Sequence, residues 1–436
     1  MRIKIVLLLF FLAAIHCFAQ RSEEYFVNGS DKNKGEDFEG AIAEYTKAIK
    51  HNHKDATAYY NRGAAKVKLK DYSGAISDFS EVIKLVPNDA DAYFGRAYAK
   101  DRIKDYAGGF ADYSKAIEIK PYDASSYYNR AIARDALHDY KGALADYDKA
   151  IELRPDDTKK AYYYRGLEKS ELKDCQGAIA DFSMAIELRL SDTKAYYHRG
   201  LEKCELKDYQ GALADFSKAI ERDSLYLTAY FNRGVIKEEV EDYSGAIADY
   251  SRVIAIDSNY AKAYAARGGI KEFLKDSQGA LEDLNKAIKI NPMLAGWYFN
   301  RGSVKAKLLD YQGAVTDFNR AIDLTPKFEK AYDSRGVAKA KMNNFKGAIK
   351  DYNRSIKLNN KQSRAYNNRG ASYAKLHRNR KAIKDYNKAI QINPNYGRAY
   401  SNRGLAKEEL KDHQGAMDEY FAQPGRYLEK RTRQGL

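Results

Sequence analysis

The residues from which disulfide frameworks, metal centres and many catalytic sites are built are scarce in this chain of 436 residues. Of its three cysteines, Cys17 falls in an N-terminal leader described below, and Cys175 and Cys204 are too few for a disulfide framework, so stability has to come from packing. Seven histidines are scattered (His16, His51, His53, His138, His198, His377 and His413), and His51 and His53 stand two apart rather than at the i, i+4 spacing of a helical metal pair. No Ser-His-Asp arrangement, phosphate loop or paired-cysteine zinc motif is found. The reading is therefore of a protein that is not an enzyme and needs no cofactor or metal.

Long apolar runs are missing too, with one exception. Arg2 and Lys4 precede an apolar run from Ile5 to Ile15, followed by Cys17-Phe18-Ala19. This is a basic segment, a short hydrophobic core and a small-x-small cleavage site, and it falls well short of the ~20 apolar residues of a membrane span. We expect residues 1–19 to be a signal peptide cut after Ala19, and the protein to be exported: periplasmic, associated with the outer surface, or secreted. A lipid-modified Cys17 is the alternative, against which the bulky His16 counts. Removing the leader lowers the formal charge of +15 by two. No transmembrane segment is expected, and peripheral envelope association stays open. The whole chain is 44% hydrophobic and 13% aromatic, too rich in core-forming residues for disorder despite 31% charged residues.

What the chain has in abundance is repetition. The stretch "YYNRGAAK" at 59–66 returns as "YFNRGVIK" at 230–237 and "YFNRGSVK" at 298–305. Arginine recurs at 62, 96, 130, 165, 199, 233, 267, 301, 335, 369 and 403, each step being 34 residues except one of 35, where a residue enters the loop around Asp156–Lys160. A fixed period of this length marks stacked helix-turn-helix units. Residues 56–69 and 72–86 carry apolar residues at helical spacing. Asp71 between them suits an N-cap and is Asp in ten of twelve units, Asn344 and Arg378 being the exceptions. Six of the seven prolines (Pro87, Pro121, Pro155, Pro292, Pro326, Pro394) sit just past the second helix, where proline stops a helix without damaging one.

Gly63, Ala75 and Val82, with Tyr59 and Phe79, fall at the spacing of the tetratricopeptide repeat, and the chain resembles that family over twelve units; with its leader it resembles an exported bacterial member. The resemblance implies an all-α, right-handed superhelical solenoid of helix-turn-helix repeats over residues 20–423, followed by a basic tail at 424–436. The first unit, with Asn28 in place of the arginine, and the last, ending in "FAQPGRYLEK", are atypical, as terminal caps are.

Neighbouring residues of the motif point different ways because a helix turns about 100° per residue. Eleven copies of Arg62 argue against catalysis, since a site is normally built once from several residue types. Lys66, one turn on, has a basic counterpart in every unit but one (Tyr373), and Asp78 on the second helix is acidic in all twelve. We expect an ion pair inside each hairpin, Arg62 with Asp78 and Arg233 with Asp249 among them, with the lysine as second partner. Tyr59, constant in all units, reads as packing.

The resemblance places the next two columns on the concave groove, where asparagines hold a bound peptide's backbone. The aromatic column runs Phe26, Tyr60, Phe94, Tyr128, Tyr163, Tyr197, Phe231 and, after Ala265, Phe299, then turns polar at Asp333, Asn367 and Ser401. The amide column has Asn61, Asn129, Asn232, Asn300, Asn368 and Asn402, broken elsewhere. Rings that only cover the neighbouring repeat are the alternative. Groove-facing charge alternates as well: acidic at Glu171, Glu205, Glu238, Glu239 and Glu272, basic at Lys34, Lys68, Lys307, Lys341 and Lys375, acidic again at Glu408 and Glu409.

These readings converge on a non-catalytic scaffold or assembly factor of the cell envelope that binds an extended protein segment in the groove. A polyanion-binding surface protein and a substrate-recruiting adaptor for a separate enzyme are the rival readings. Acidic residues interleaved with the basic ones argue against nucleic acid. Cys175 and Cys204 lie at helix ends that adjacent repeats bring together, so a staple between repeats is one reading and two free thiols the other.

Overall fold

The computed structural model describes residues 20–154, 159–188 and 193–422. The leader, the inserted loop residue and the tail from residue 424 lie outside the described residues. Within them every regular element is a helix, twenty-four in all, arranged as twelve consecutive hairpins. Repeat 1 pairs a helix at 20–34 with Phe38–His51, repeat 2 pairs Ala56–Lys68 with Tyr72–Leu85, and so on to repeat 12, Gly397–Glu408 with His413–Phe421. Each helix packs chiefly on its hairpin partner, and each second helix also packs on the first helix of the repeat that follows it in the same unit. Two compact units divide the chain, repeats 1–6 ending at Asp223 and repeats 7–12 starting at Ser224. No described helix is long and apolar enough to cross a membrane.

The turn inside each hairpin follows from three backbone requirements. In repeat 2 the first helix ends when Lys70 adopts a left-handed conformation (φ 64°), letting the Asp71 N–H reach back to the Lys66 carbonyl at 2.9 Å. This closes the helix end in the manner usually reserved for glycine. All twelve turns use a non-glycine residue there, from Glu36 to Lys411. Asp71 then caps the second helix, its carboxylate accepting from the Gly74 N–H at 2.9 Å.

Gly74 and its counterparts answer to the cap and not to helix packing. A Cβ at Gly74 would lie 2.2 Å from Asp71 Oδ2, so it is the capping carboxylate that forbids a side chain. Repeat 11 shows the coupling in reverse. There the cap is Arg378, which makes no side-chain cap bond, and the glycine has become Lys381. The Gly63 column is the true packing glycine: a Cβ at Gly336 would meet Tyr352 Cε1 at 2.7 Å.

The core of each hairpin is small. It consists of the buried Ala75, Phe79 and Val82 columns, with Ala58 and Ala65 from the first helix. Through this core run the ion pairs. Arg62 grips Asp78 with two donors, Nε to Oδ2 at 3.0 Å and Nη2 to Oδ1 at 2.6 Å, and Lys66 Nζ meets Oδ2 at 2.9 Å. Asp78 is only 2% exposed. Arg233 holds Asp249 in the same way, at 2.9 and 2.7 Å, with Lys237 at 2.9 Å.

The arginine does two further things that its spacing did not announce. Its third arm reaches the second helix of the preceding repeat: Nη1 of Arg62 donates to Thr46 Oγ1 at 3.0 Å, Arg96 to Ser80, Arg267 to Ser251 and Arg335 to Asn319. Ten arginines make such a bond, and the acceptor is always Ser, Thr, Asn or Asp. Each guanidinium also lies over the Tyr59-column ring three residues earlier, 5.4 Å from the centroid for Arg62 and Tyr59 and 5.5 Å for Arg233 and Tyr230.

Removing one member of such a buried network leaves the others charged and unpaired, at a cost of about 3 kcal/mol or more. Asp249→Asn keeps the shape while stripping the charge between Arg233 and Lys237. We expect a clearly lowered denaturation midpoint in urea. An unchanged midpoint would show that the ion pairs are dispensable.

Candidate partner-binding face

The aromatic column lies on the same hairpins, one residue on from the Tyr59 column. Each ring roofs the core ring of its own hairpin: Tyr60 meets Phe79 with centroids 5.5 Å apart, and Phe94–Tyr113, Tyr128–Tyr147, Tyr163–Phe182, Tyr197–Phe216, Phe231–Tyr250, Phe299–Phe318 and Phe26–Tyr45 repeat the contact at 5.5–6.0 Å. The rings therefore pack within their own hairpins, and four of them also meet a ring at or beyond the turn into the next repeat: Tyr128–Tyr164, Tyr163–His198, Phe231–Tyr260 and Phe299–Phe328. Tyr163 is buried, and the other seven are half-buried, leaving part of each ring to solvent.

Where the column turns polar, the packing is replaced by buried hydrogen bonds. Asp333, 1% exposed, receives Arg364 Nη2 of the next repeat at 2.5 Å. Burial holds its pKa above the ordinary carboxylate value, with Arg364 opposing. Asn402 donates to Asn367 Oδ1 at 2.9 Å, and Asn367 donates to Asn368 at 3.4 Å. The loss of the bulky rings accompanies a cavity of about 590 Å³ along repeats 9–12, lined by Asn368, Ser334, Ser372, Lys341, Lys375 and Arg398 among others.

A second cavity, about 340 Å³, brings Tyr128 and Asn129 together with Arg154 and Lys160 in repeats 4 and 5. The amides of the column differ in how occupied they are. Asn129 donates to the Ser125 carbonyl of its own helix at 2.8 Å. Asn61 is half-buried and Asn300 exposed, and neither carboxamide is hydrogen-bonded within the described residues. The charge alternation is partly neutralised inside the protein, since Lys307 pairs with Glu272.

Sequence spacing missed a pair of carboxyls. Glu168, 4% exposed on the first helix of repeat 5 (Lys159–Glu171), meets Asp135 on that of repeat 4 (Ala124–Ala136). Two carboxylate oxygens cannot donate to each other, so the contact requires one of them to hold a proton. Burial, then the charge of Asp135, pushes Glu168 up to about 8. Burial likewise raises Asp101 in repeat 3 to about 6, against the hydrogen bond that Tyr113 donates to it at 3.1 Å. The signal available in the sequence was glutamate in a column otherwise mostly Ala, Ile or Val: Glu168 and Glu202 stand where Ala65 does.

The thiols resolve the two readings of the cysteines. Cys175 and Cys204 are both free, so the staple is not formed. The Cys175 thiol turns to Glu202 instead, which raises its pKa, while burial pushes the Cys204 thiol up to about 11. No group of His, Cys, Asp and Glu among the described residues is arranged to hold a metal ion.

A carboxyl that binds its proton more tightly folded than unfolded favours the fold fully at low pH. That contribution is lost as pH rises from the ordinary glutamate value of 4.5 through about 8. The melting temperature should therefore fall across this window, and the fall should be smaller in Glu168→Gln, whose amide does not titrate. Parallel pH profiles for the two proteins would contradict the shared proton.

Comparison with known proteins agrees with this architecture. Family models described as tetratricopeptide repeat or TPR repeat match residues 29–70, 65–124, 124–157, 197–261, 261–292, 329–362 and 363–396. No curated protein sequence matches the chain. Among solved structures it is similar to YrrB, a TPR protein with an unusual peptide-binding site, at 24% identity over 42% of this chain and 95% of that one, with a TM-score of 0.40. It is similar to MamA from Desulfovibrio magneticus RS-1, at 24% identity over 39% and 97% of the two chains, with a TM-score of 0.38. The APC/C hetero-tetramer Cut9–Hcn1 is similar at 13% identity over 92% and 93%, with a TM-score of 0.42. The repeat motif, the hairpins it builds and the matched residues together make this chain a member of the tetratricopeptide-repeat family.

Proposed function

We propose that this protein is a non-catalytic scaffold or assembly factor that holds an extended segment of a partner protein along the first helices of its repeats. The observation that carries the reading is the conjunction of half-buried rings with amides that have no partner of their own, Asn61 beside Tyr60 and Asn300 beside Phe299. Amides offer both a donor and an acceptor to a passing backbone, and the rings offer apolar contact to its side chains. Both cavities open beside residues of the amide column, Asn129 and Asn368. Membership of a family of interaction scaffolds, and the peptide-binding site of YrrB, support the same reading.

A polyanion reading is favoured by one feature, the convergence of Lys341, Lys375 and Arg398 on the larger cavity. Its signature is affinity that falls steeply with salt and ignores the rings.

The setting we propose is outside the cytoplasm, in the cell envelope, on the strength of the basic and apolar pattern of residues 1–19. Protein recovered from the envelope should then begin at Gln20 on N-terminal sequencing, and a retained Met1 would place it elsewhere. To test the face itself, the chain is cross-linked to its partners in envelope preparations alongside a folded Tyr60→Ala, Tyr128→Ala, Phe231→Ala variant. We expect defined partners, joined at first-helix residues and lost with the variant. Undiminished capture would reduce the rings to packing.

A further inference from the structure

The acids buried in the hairpins of this protein are paired with cations except Glu168 and Glu202, and around these two in repeats 3–6 stand four more acids, half-buried or exposed, without an ion pair among the described residues. Asp101, Asp135, Glu168, Glu171, Glu202 and Glu205 occupy the last turns of four successive first helices, and the nearest cations of those helices are committed elsewhere. Lys100 is held by Asp112, Arg134 by Asp146, Lys169 by Asp181 and Lys203 by Asp215. Arg102 acts on Asp101 only through space, its guanidinium donating to Tyr98. In a chain with fifteen excess positive charges, six carboxylates without an ion-pair partner among the described residues stand out.

Neutral donors serve two of the six. Tyr113 donates to Asp101, and Ser170 donates to Glu202 at 2.5 Å. Between repeats 4 and 5 the supply fails. Tyr113, Tyr250 and Tyr420 each donate to the acid twelve residues before them, namely Asp101, Glu238 and Glu408. Tyr147 stands twelve residues after Asp135, yet its hydroxyl, in a side chain 0% exposed, has no hydrogen-bond partner. Glu168 Oε2 beside it is buried and also without one. The Tyr147 hydroxyl and the Glu168–Asp135 pair thus act on one another electrostatically, while the hydroxyl and Oε2 are left buried and unpaired, a costly arrangement unless something partners them.

An ammonium group brings three donors and a compensating charge. We propose that the first-helix face of repeats 3–6 is the seat of a cationic stretch of the bound partner segment, with one lysine ammonium on the Asp135–Glu168 pair above the Tyr147 hydroxyl. The exposed Glu171 and Glu205 meet further basic side chains of the same stretch. A divalent metal ion fits less well, because no group of three ligands is arranged for one among the described residues. This inference rests on the segment-binding function proposed above and adds to it the chemistry of the segment.

The test is binding of a fluorescent peptide of alternating lysine and alanine to the folded chain, with a glutamate-alanine peptide as control. We expect saturable binding of the lysine peptide alone, weakened about tenfold in Asp135→Asn, the effect of ~1.4 kcal/mol. Variants of buried acids can disturb the fold, so Glu171→Gln with Glu205→Gln, both on the surface, provides the second arm and should weaken binding several-fold. Equal affinity in all variants, or no saturable binding, would overturn the proposal. Should the lysine peptide fail while the ring variant still loses its cross-linked partners, the acidic seat is wrong and segment binding stands. Loss of both would remove the two together.

Discussion

The structure depends on a charge held where water cannot reach it. Asp78 and its counterparts sit between the two helices of each hairpin, and a carboxylate there is tolerable only while its oxygens are occupied by cationic donors. The arginine supplies two of them in a fixed planar fork, and the lysine one turn on supplies the third. Because the fork has an arm left over, the same residue that closes one hairpin also bolts it to the hairpin before. The tyrosine under the guanidinium completes the clamp. One arginine per repeat therefore serves hairpin closure and stacking at once, and only repeat 1 departs from it, with Asn28 in its place.

Repetition of this clamp lets the small alanine and glycine core suffice. Side chains in the Ala75 and Gly63 columns bury little apolar area each. Helices that approach this closely still gain dense packing, and the turn geometry fixes their angle through the Asp71 cap and the glycine three residues later. Repeat 11 abandons the cap, its glycine and the lysine of the clamp together, and places Lys381 over the Tyr373 ring instead. Positions that change in concert in a single repeat are positions that act on each other physically.

Against so regular a frame, departures carry the functional content. Rings that roof a hairpin core are needed for packing where they occur, yet repeats 10–12 replace them with Asp333, Asn367 and Ser401, and a mostly apolar cavity with basic residues among its lining lies there. Repeats 3–6 go the other way, keeping the rings and placing unpaired acids beside them. The first compact unit thus offers a partner unpaired acids and the second a basic rim, a difference that bears on which segment each can hold more than on raw affinity.

The sequence by itself determined the repeat length, the helical hairpin, the caps and the pairing of Arg62 with Asp78, because each rests on spacing along one or two neighbouring helices. It also showed that the Tyr60 column changes character along the chain. Only the tertiary structure decided what depends on the distance between repeats, namely the third arm of the arginine, the meeting of Glu168 with Asp135 and the free state of Cys175 and Cys204, and what depends on rotamers inside one hairpin, the packing of each stripe ring on its own core ring. The capping carboxylate as the reason for Gly74 was decided there as well. The physical reason is the same in each case. Spacing within a helix is set by 3.6 residues per turn, whereas the contacts across repeats depend on a stacking angle and on rotamers that no linear pattern encodes.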